Sequence, residues 1–384
     1  MTRLTCRICH DDLHPKPLLV QDDMPASAQG FPGADGLVTD RGVQLQVVQC
    51  AGCGVVQLTN PEVGYWKSVI RAAGISPDMQ AFRLAQFRQW ADTHHLAGMR
   101  VLEVGCGKGE YLCLLAQVGV DAHGMEHAAD SVAHCVTQGL QVTQGFPDDP
   151  AQCLPGAPYD GFMILNFLEH LPTIRDTLRA IRNNLQPNGV GLVEVPNLDM
   201  LLSEGLFAEF IPDHLYYFTQ QTLTRLLESA GFELLECSAV WHGYVLSAVV
   251  RKRPALSLDA LAQRQFHLKQ QFHTLMDRHG PLRVAIWGAG HQALALISLM
   301  AIGPKVRFVV DSAPFKQGRF TPATHLPIVG PDQLNPKDID LVLVLAASYS
   351  DEVIRLIHDR HGHRMTVATL RGGELCVVSE KATP

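Results

Sequence analysis

The sequence VLEVGCGKGEY, residues 101–111, decides the fold. The apolar VLEV reads as a strand. Gly105, Gly107 and Gly109 then let the backbone turn sharply and approach a ligand where any Cβ would intrude, and a helix is expected over residues 111–118. Strand, glycine turn and helix in this order make a cofactor cradle. The acidic Glu103 is placed to organise the loop around a charged ligand end. The glycines fall as GxGxG, not as the GxGxxG of dinucleotide-binding folds. The next strand is expected to end at Met125 and Glu126, about twenty residues beyond the loop, where a carboxylate accepts hydrogen bonds from both hydroxyls of a ribose. Glu126 is the expected ribose ligand. Gly145, Phe146 and Pro147 fall where an adenine pocket belongs, and Asn166 and Phe167 close the fourth core strand.

Outward from this loop, strands and helices alternate from Arg100 to about Lys252: VLEV, the 111–118 helix, DAHGME, a helix over 130–138, YDGFMILNF, a helix over 173–185, and GVGLVEV. That alternation implies an α/β fold with a parallel, doubly wound sheet. Upstream, residues 76–96 place apolar residues at helical spacing, with Ser76 as N-cap and Pro77 at the first helical position. Downstream, residues 256–280 are polar and predict a connecting helix. Residues 282–384 then start again with RVAIWGAG (283–290), followed by VRFVVD (306–311) and DLVLVL (340–345), which predicts a second Rossmann-like unit. The expected domains are residues 1–62, 63–255 and 256–384.

A chain of 384 residues exceeds what one core usually organises. Its 47% hydrophobic and 18% charged residues indicate a folded protein. With a formal charge of −7 and no basic cluster, a small-molecule substrate is favoured over nucleic acid. The opening MTRLTCRICHDD has no apolar core and no run approaches the roughly 18 residues of a spanning helix, so a cytoplasmic, reducing setting is expected, away from membranes.

Four of the ten cysteines form two CxxC pairs, Cys6 with Cys9 and Cys50 with Cys53, around a Pro/Gly/Asp-rich stretch and the alternating run VQLQVV (43–48). The expectation is a small β-rich module in which four thiolates hold one tetrahedral zinc ion. A site closed by four cysteines leaves no position for substrate, so this zinc is structural. Unrelated buried cysteines are the alternative. A redox CxxC lacks its surrounding βαβ unit.

The acid-led GxGxG loop resembles that of S-adenosylmethionine-dependent methyltransferases. Three further features accompany it and the cysteine quartet: DHLYYFT (213–219), His242 with Gly243, and VDSAPFKQGR (310–319) followed by THLPI (324–328). The order of these motifs, over nearly the whole chain, resembles the three-domain sugar C-methyltransferase family. The resemblance implies a class I methyltransferase core between a zinc-binding module and a second Rossmann-like domain. It also implies S-adenosylmethionine held by Glu103, Gly105, Gly107, Gly109, Glu126, Phe146, Asn166 and Phe167, and a nucleotide-linked keto-deoxysugar as acceptor. In that family a base removes the proton beside a carbonyl and the enolate takes the methyl group. The matching positions are Asp213, His214 and His170. His214 is the preferred base, because imidazole with its pKa near 6.5 is mostly neutral yet basic at physiological pH, with Asp213 or Glu169 to orient it. His170, Tyr65 and Tyr217 compete to hydrogen-bond the enolate. His242 is a candidate substrate ligand. Lys316, Arg319 and His325 are candidates for a pyrophosphate, beside Gly288, Ala289 and Gly290.

The chain departs from the family where a tyrosine three residues before the motif histidine is replaced by Ile211, and a glutamate directly before it by Asp213. The family's arginine after His-Gly is also absent from HGYVL (242–246). Methylation of oxygen or nitrogen on another carbohydrate or natural-product intermediate is therefore the second expectation, and a non-catalytic zinc-containing binding protein the third. Plainer roles stand beside these: any of 18 histidines can be a packing residue, Tyr216, Tyr217 and Phe218 can be core, and the last unit can be silent. The oligomeric state is not legible.

Overall fold

The computed structural model describes residues 4–68 and 75–382, which form two units, Met1–Pro254 and Ala255–Pro384. In the first unit the chain runs β1 (Leu19–Met24), β2 (Val43–Gln49), β3 (Val56–Leu58), α1 (Pro77–Thr93), β4 (Arg100–Val104), α2 (Glu110–Gln117), β5 (Asp121–Glu126), α3 (Ala129–Thr137), β6 (Gln141–Gln144) and β7 (Tyr159–Leu165). It continues with α4 (Ile174–Asn183), β8 (Leu185–Pro196), α5 (Leu198–Ser203), β9 (Tyr216–Tyr217), α6 (Gln220–Ser229), β10 (Phe232–Val240) and β11 (Val245–Lys252).

Local chemistry explains these boundaries. Ser76 Oγ accepts the Met79 N–H and Pro77 opens α1, as the sequence predicts. In α4, Ile174, Leu178 and Ile181 fall at helical spacing and are all buried against the sheet. Each such side chain contributes about 1.5–3 kcal/mol. Thr219 and Thr222 form a reciprocal capping box that starts α6 directly after β9.

The main sheet has the order β10-β11-β8-β7-β4-β5-β6. Its central strands are parallel, as expected from the alternation, but β11 runs antiparallel to both β8 and β10. The strands named from the sequence are parallel as expected, and the antiparallel edge is added by β10 and β11, whose short turn forces a hairpin. The N-terminal strands build a separate antiparallel sheet, β1-β2-β3-β9, whose last strand comes from residues 216–217. That sheet therefore carries the segment following Asp213 and His214.

The second unit comprises α7 (Asp259–Met276), β12 (Val284–Trp287), α8 (His291–Leu299), β13 (Val306–Val310), β14 (Ile328–Val329), β15 (Leu341–Val344), α9 (Ser350–His361), β16 (Thr366–Arg371) and β17 (Glu374–Ser379). Its sheet order is β14-β13-β12-β15-β16-β17, parallel except for β17. Residues 256–280 do hold the expected helix. No helix among the described residues is long and apolar enough to cross a membrane.

Candidate active site

The strands β4 and β7 are neighbours whose chains then depart to opposite sides of the sheet, so their C-terminal ends open a crevice, the usual ligand position in a doubly wound sheet. The glycine loop leaves β4 into it. Gly105 has φ +72°, and a Cβ there would lie 2.7 Å from the Phe167 ring, so backbone and space both require glycine. Glu126 clasps the loop: Oε2 accepts the Gly107 N–H at 2.9 Å and Oε1 accepts the Ala128 N–H at 2.8 Å. Glu103 is buried within β4, and Gly109 caps α2. Phe146 is buried, edge-on to Trp66 at 5.3 Å and to Phe167 at 6.1 Å between ring centroids. Asn166 follows β7 with φ +48°, and its Oδ1 is buried without a partner among the described residues.

A 3-10 turn, Leu168–His170, continues from β7 and faces the segment that enters β9. His170 Nδ1 donates to the Asp213 carbonyl oxygen at 2.8 Å, which leaves Nε2 as the lone-pair nitrogen of the neutral ring. The His170 and His214 rings meet edge to face with centroids 4.8 Å apart, and Glu169 joins them: carboxylate and ring-nitrogen atoms of the three lie within 4.8 Å of one another. The Asp213 carboxylate lies elsewhere. It accepts the Tyr65 hydroxyl at 2.6 Å and the Ala28 N–H at 2.7 Å, while the Gln29 N–H donates to the Tyr65 oxygen at 2.9 Å. Tyr217 uses its hydroxyl to hold the Ile211 backbone, accepting from N–H at 3.0 Å and bonding the carbonyl at 3.2 Å.

Burial sets the charges in this cluster. It pushes His170 down to about 4, against the opposing pull of the Asp213 carbonyl, and His214 down to about 3, helped by His170. It pushes Glu169 up to about 8. Near pH 7 all three side chains are uncharged.

In the N-terminal module, Cys6 and Cys53 sulfurs lie 3.7 Å apart and those of Cys9 and Cys50 3.4 Å, with all four within 4.8 Å of one another. Zn–S bonds of about 2.3 Å place tetrahedral sulfurs about 3.8 Å apart, so the donor set fits zinc. The Ile8 N–H donates to the Cys6 sulfur and the Cys53 N–H to that of Cys50, both at 3.4 Å. Arg175 and Arg225 donate to the Ile8 and Cys53 carbonyls, each at 3.1 Å, setting two cations beside a site that would carry negative charge.

Residues 79–237 match the methyltransferase domain family, and residues 258–367 match the C-methyltransferase C-terminal domain family. This chain is an S-adenosylmethionine-dependent methyltransferase. The C-methyltransferase NovU of Streptomyces niveus is 26% identical, covering 91% of either chain. A probable S-adenosylmethionine-dependent methyltransferase of Mycolicibacterium smegmatis is 29% identical over 50% of this chain and 74% of its own. Among solved structures, an S-adenosylmethionine-dependent methyltransferase of Clostridium acetobutylicum covers 50% of this chain and 96% of its own, with 11% identity and a TM-score of 0.37.

By its sheet order and its matched domain the methyltransferase has a class I Rossmann-like core, and its crevice suits S-adenosylmethionine. The Asn166 Oδ1, without a partner among the described residues, and the glycine loop that Glu126 clasps at Gly107 are the features a cofactor would complete. Three sequence expectations are corrected. Asp213 does not orient His214, since its carboxylate bonds Tyr65 and Ala28. Tyr217 anchors a turn with its hydroxyl instead of presenting it to an acceptor. His170, neutral and donating through Nδ1, offers a lone pair at Nε2 and so cannot hydrogen-bond an enolate as donor. Residues 28–29 went unforeseen because their contribution is backbone N–H, which side-chain identity does not advertise. Tyr244, whose hydroxyl donates to Glu209 at 2.6 Å, lacked any motif.

His242 is exposed in the β10–β11 turn with φ +58°, its ring 5.0 Å from that of Trp241. In the second unit Lys316 is not a free cation: its ammonium bonds the Asp311 carboxylate at 2.8 Å. Burial pushes Asp311 up, but Lys316 and the Ala313 and Ala289 N–H groups outweigh it and hold the carboxyl below its usual value. The Ala289 N–H, expected to cradle phosphate, is thereby taken. Arg319 and His325 are exposed.

Proposed function

We propose that the methyltransferase alkylates carbon, on a nucleotide-linked keto-deoxysugar, with His214 as the base. The observation that carries this reading is the pairing of two neutral imidazoles beside Glu169 at the rim of the cofactor crevice. The similarity to a C-methyltransferase over 91% of the chain supports it. Bound S-adenosylmethionine would supply an electrophilic methyl group, held by Glu103, Gly105, Gly107, Gly109, Glu126, Phe146, Asn166 and Phe167.

The residues divide the remaining work. His214 takes the proton from the carbon beside the acceptor carbonyl. Burial makes its imidazole a weaker base than the usual pKa near 6.5 implies. The enolate offsets this, because imidazolium and enolate then sit side by side away from water, where opposite charges favour each other strongly. Asp213 and Tyr65 act as a unit that fixes the segment carrying His214, with the Ala28 and Gln29 N–H groups closing over it. The four cysteines hold structural zinc and, through β3 and β9, the same segment.

Incubating the enzyme in deuterium oxide with a nucleoside-diphosphate 4-keto-6-deoxyhexose, without methyl donor, should wash deuterium into the carbon beside the carbonyl, read by proton NMR. With S-adenosylmethionine the product should carry a new C-methyl signal. An O-methyl or N-methyl product formed without exchange would replace this reading with heteroatom methylation, the reaction Ile211 leaves open by removing the family's phenol.

A further inference from the structure

We infer that Glu169 acts as a neutral carboxylic acid whose Oε2 donates a hydrogen bond to the acceptor's carbonyl oxygen as it becomes an enolate. This rests on the keto-acceptor reading above and gives it the donor it otherwise lacks. An enolate oxygen needs a hydrogen-bond donor, and each expected donor is engaged: Tyr65 donates to Asp213, Tyr217 holds Ile211, and His170 spends its one N–H on the Asp213 carbonyl.

Glu169 is 1% exposed, and its Oε2 is buried without a hydrogen-bond partner among the described residues. Its Oε1 lies 3.9 Å from His170 Nε2. A buried polar atom left unpaired costs free energy, and such an atom in a binding site is commonly completed by ligand. The main chain fixes its place, since the Leu215 N–H donates to the Glu169 carbonyl at 2.9 Å and ties the 3-10 turn to the segment of His214.

Among the described residues, the groups facing Glu169 bring no positive charge that would hold it ionised. On its own turn there is His170. The segment before β9 brings His214, β9 itself brings Tyr217 and the turn before β11 brings Tyr244, with Asp213 and Glu209 beside those phenols. The histidines are neutral by burial, and the remainder are acids or phenols. A carboxyl buried among such groups keeps its proton near neutral pH. The proton stays on Glu169 in the ground state and is shared with the enolate oxygen as charge develops there, so no co-reactant is needed. Donors of this kind, preorganised away from water, supply much of the stabilisation of developing oxyanions.

Two measurements test this. Carbon-13 NMR of carboxyl-labelled enzyme bound to S-adenosylhomocysteine, compared with E169Q to assign the resonance, should show Glu169 protonated at pH 7 and titrating near pH 8. This needs no acceptor, so it stands or falls apart from the substrate assignment. A resonance already ionised at pH 6 would overturn the inference. In turnover with the keto-sugar, wild-type activity should fall about tenfold per pH unit above that titration. E169Q, which keeps an N–H donor but cannot ionise, should lose roughly tenfold yet show no such alkaline fall. E169A should lose roughly 10²–10³. E169Q as inactive as E169A, or activity that a chelator removes and added Mg²⁺, Mn²⁺ or Zn²⁺ restores in wild type but not in E169Q, would reassign Glu169 as a base or a metal ligand. A protonated Glu169 with no exchange into any keto-sugar would instead refute the acceptor.

Discussion

Arg83 and Glu194 are both fully buried, and replacing Arg83 with methionine tests how the crevice floor is braced. The Arg83 guanidinium on α1 donates to the Glu194 carboxylate of β8 and to Gln86 Oε1, and lies 5.0 Å from the Tyr111 ring centroid. Gln86 Nε2 donates in turn to Glu194 Oε1 at 2.6 Å. Glu194 also supplies the backbone carbonyl that holds the Asn166 N–H, so the pair bears on the end of β7. Breaking a buried pair from one side costs roughly 3–5 kcal/mol, because the remaining charge is stranded. Here Gln86 still reaches Glu194 Oε1, which sets Arg83→Met at the lower end, about 3 kcal/mol. For a unit of this size that is roughly 6–12 °C in Tm. The double variant Arg83→Met with Glu194→Met removes both charges and should return to within about 1 kcal/mol of wild type, since apolar replacement of buried pairs is often neutral. Urea denaturation followed by tryptophan fluorescence, with S-adenosylhomocysteine absent and present, measures both. A single variant within 1 kcal/mol of wild type, or a double variant worse than the single, refutes the reasoning.

Other outcomes follow from the site. His214→Asn should lower turnover by roughly two to four orders of magnitude while leaving S-adenosylhomocysteine affinity unchanged by calorimetry; near-normal turnover removes His214 from the chemistry. Metal analysis should find one zinc per chain, and a strong chelator should unfold the N-terminal sheet first, seen as early loss of amide-exchange protection in residues 43–58. Metal-free, active protein would contradict it. Folded His170 and His214 have depressed pKa values, so their contribution to stability is complete above pH 6.5 and fades as pH falls toward 4. Glu169 is raised, so its contribution is complete below about pH 4.5 and fades as pH rises through 8. E169Q should therefore gain stability relative to wild type between pH 5 and 8; a constant gap would show that Glu169 is ionised throughout.

Much of the core was legible because its signals are local. The GxGxG turn, the Ser76-Pro77 cap and the CxxC pairs each need only their neighbours in sequence, and each stands where expected. The hairpin of β10 and β11 was legible in principle, from two apolar runs separated by a glycine-containing turn. What the sequence withheld is pairing at long range. Asp213 meets Tyr65 and Ala28, and Arg83 meets Glu194, across separations no motif spans. Protonation was withheld too, since the same histidine in a solvated turn would keep its ordinary pKa, and only burial makes His214 and Glu169 neutral together.

The sharing of β9 between the cysteine module and the core has a consequence for biosynthesis. The cysteine knuckles are made before the core, and β3 has no partner on one side until the chain has been made as far as Tyr217. Until then its exposed edge is an aggregation-prone surface, the hazard of late-arriving strand partners. A metal held by the four cysteines would tie Cys50 and Cys53, which stand between β2 and β3, while that edge waits, so zinc starvation during synthesis should lower the yield of folded enzyme.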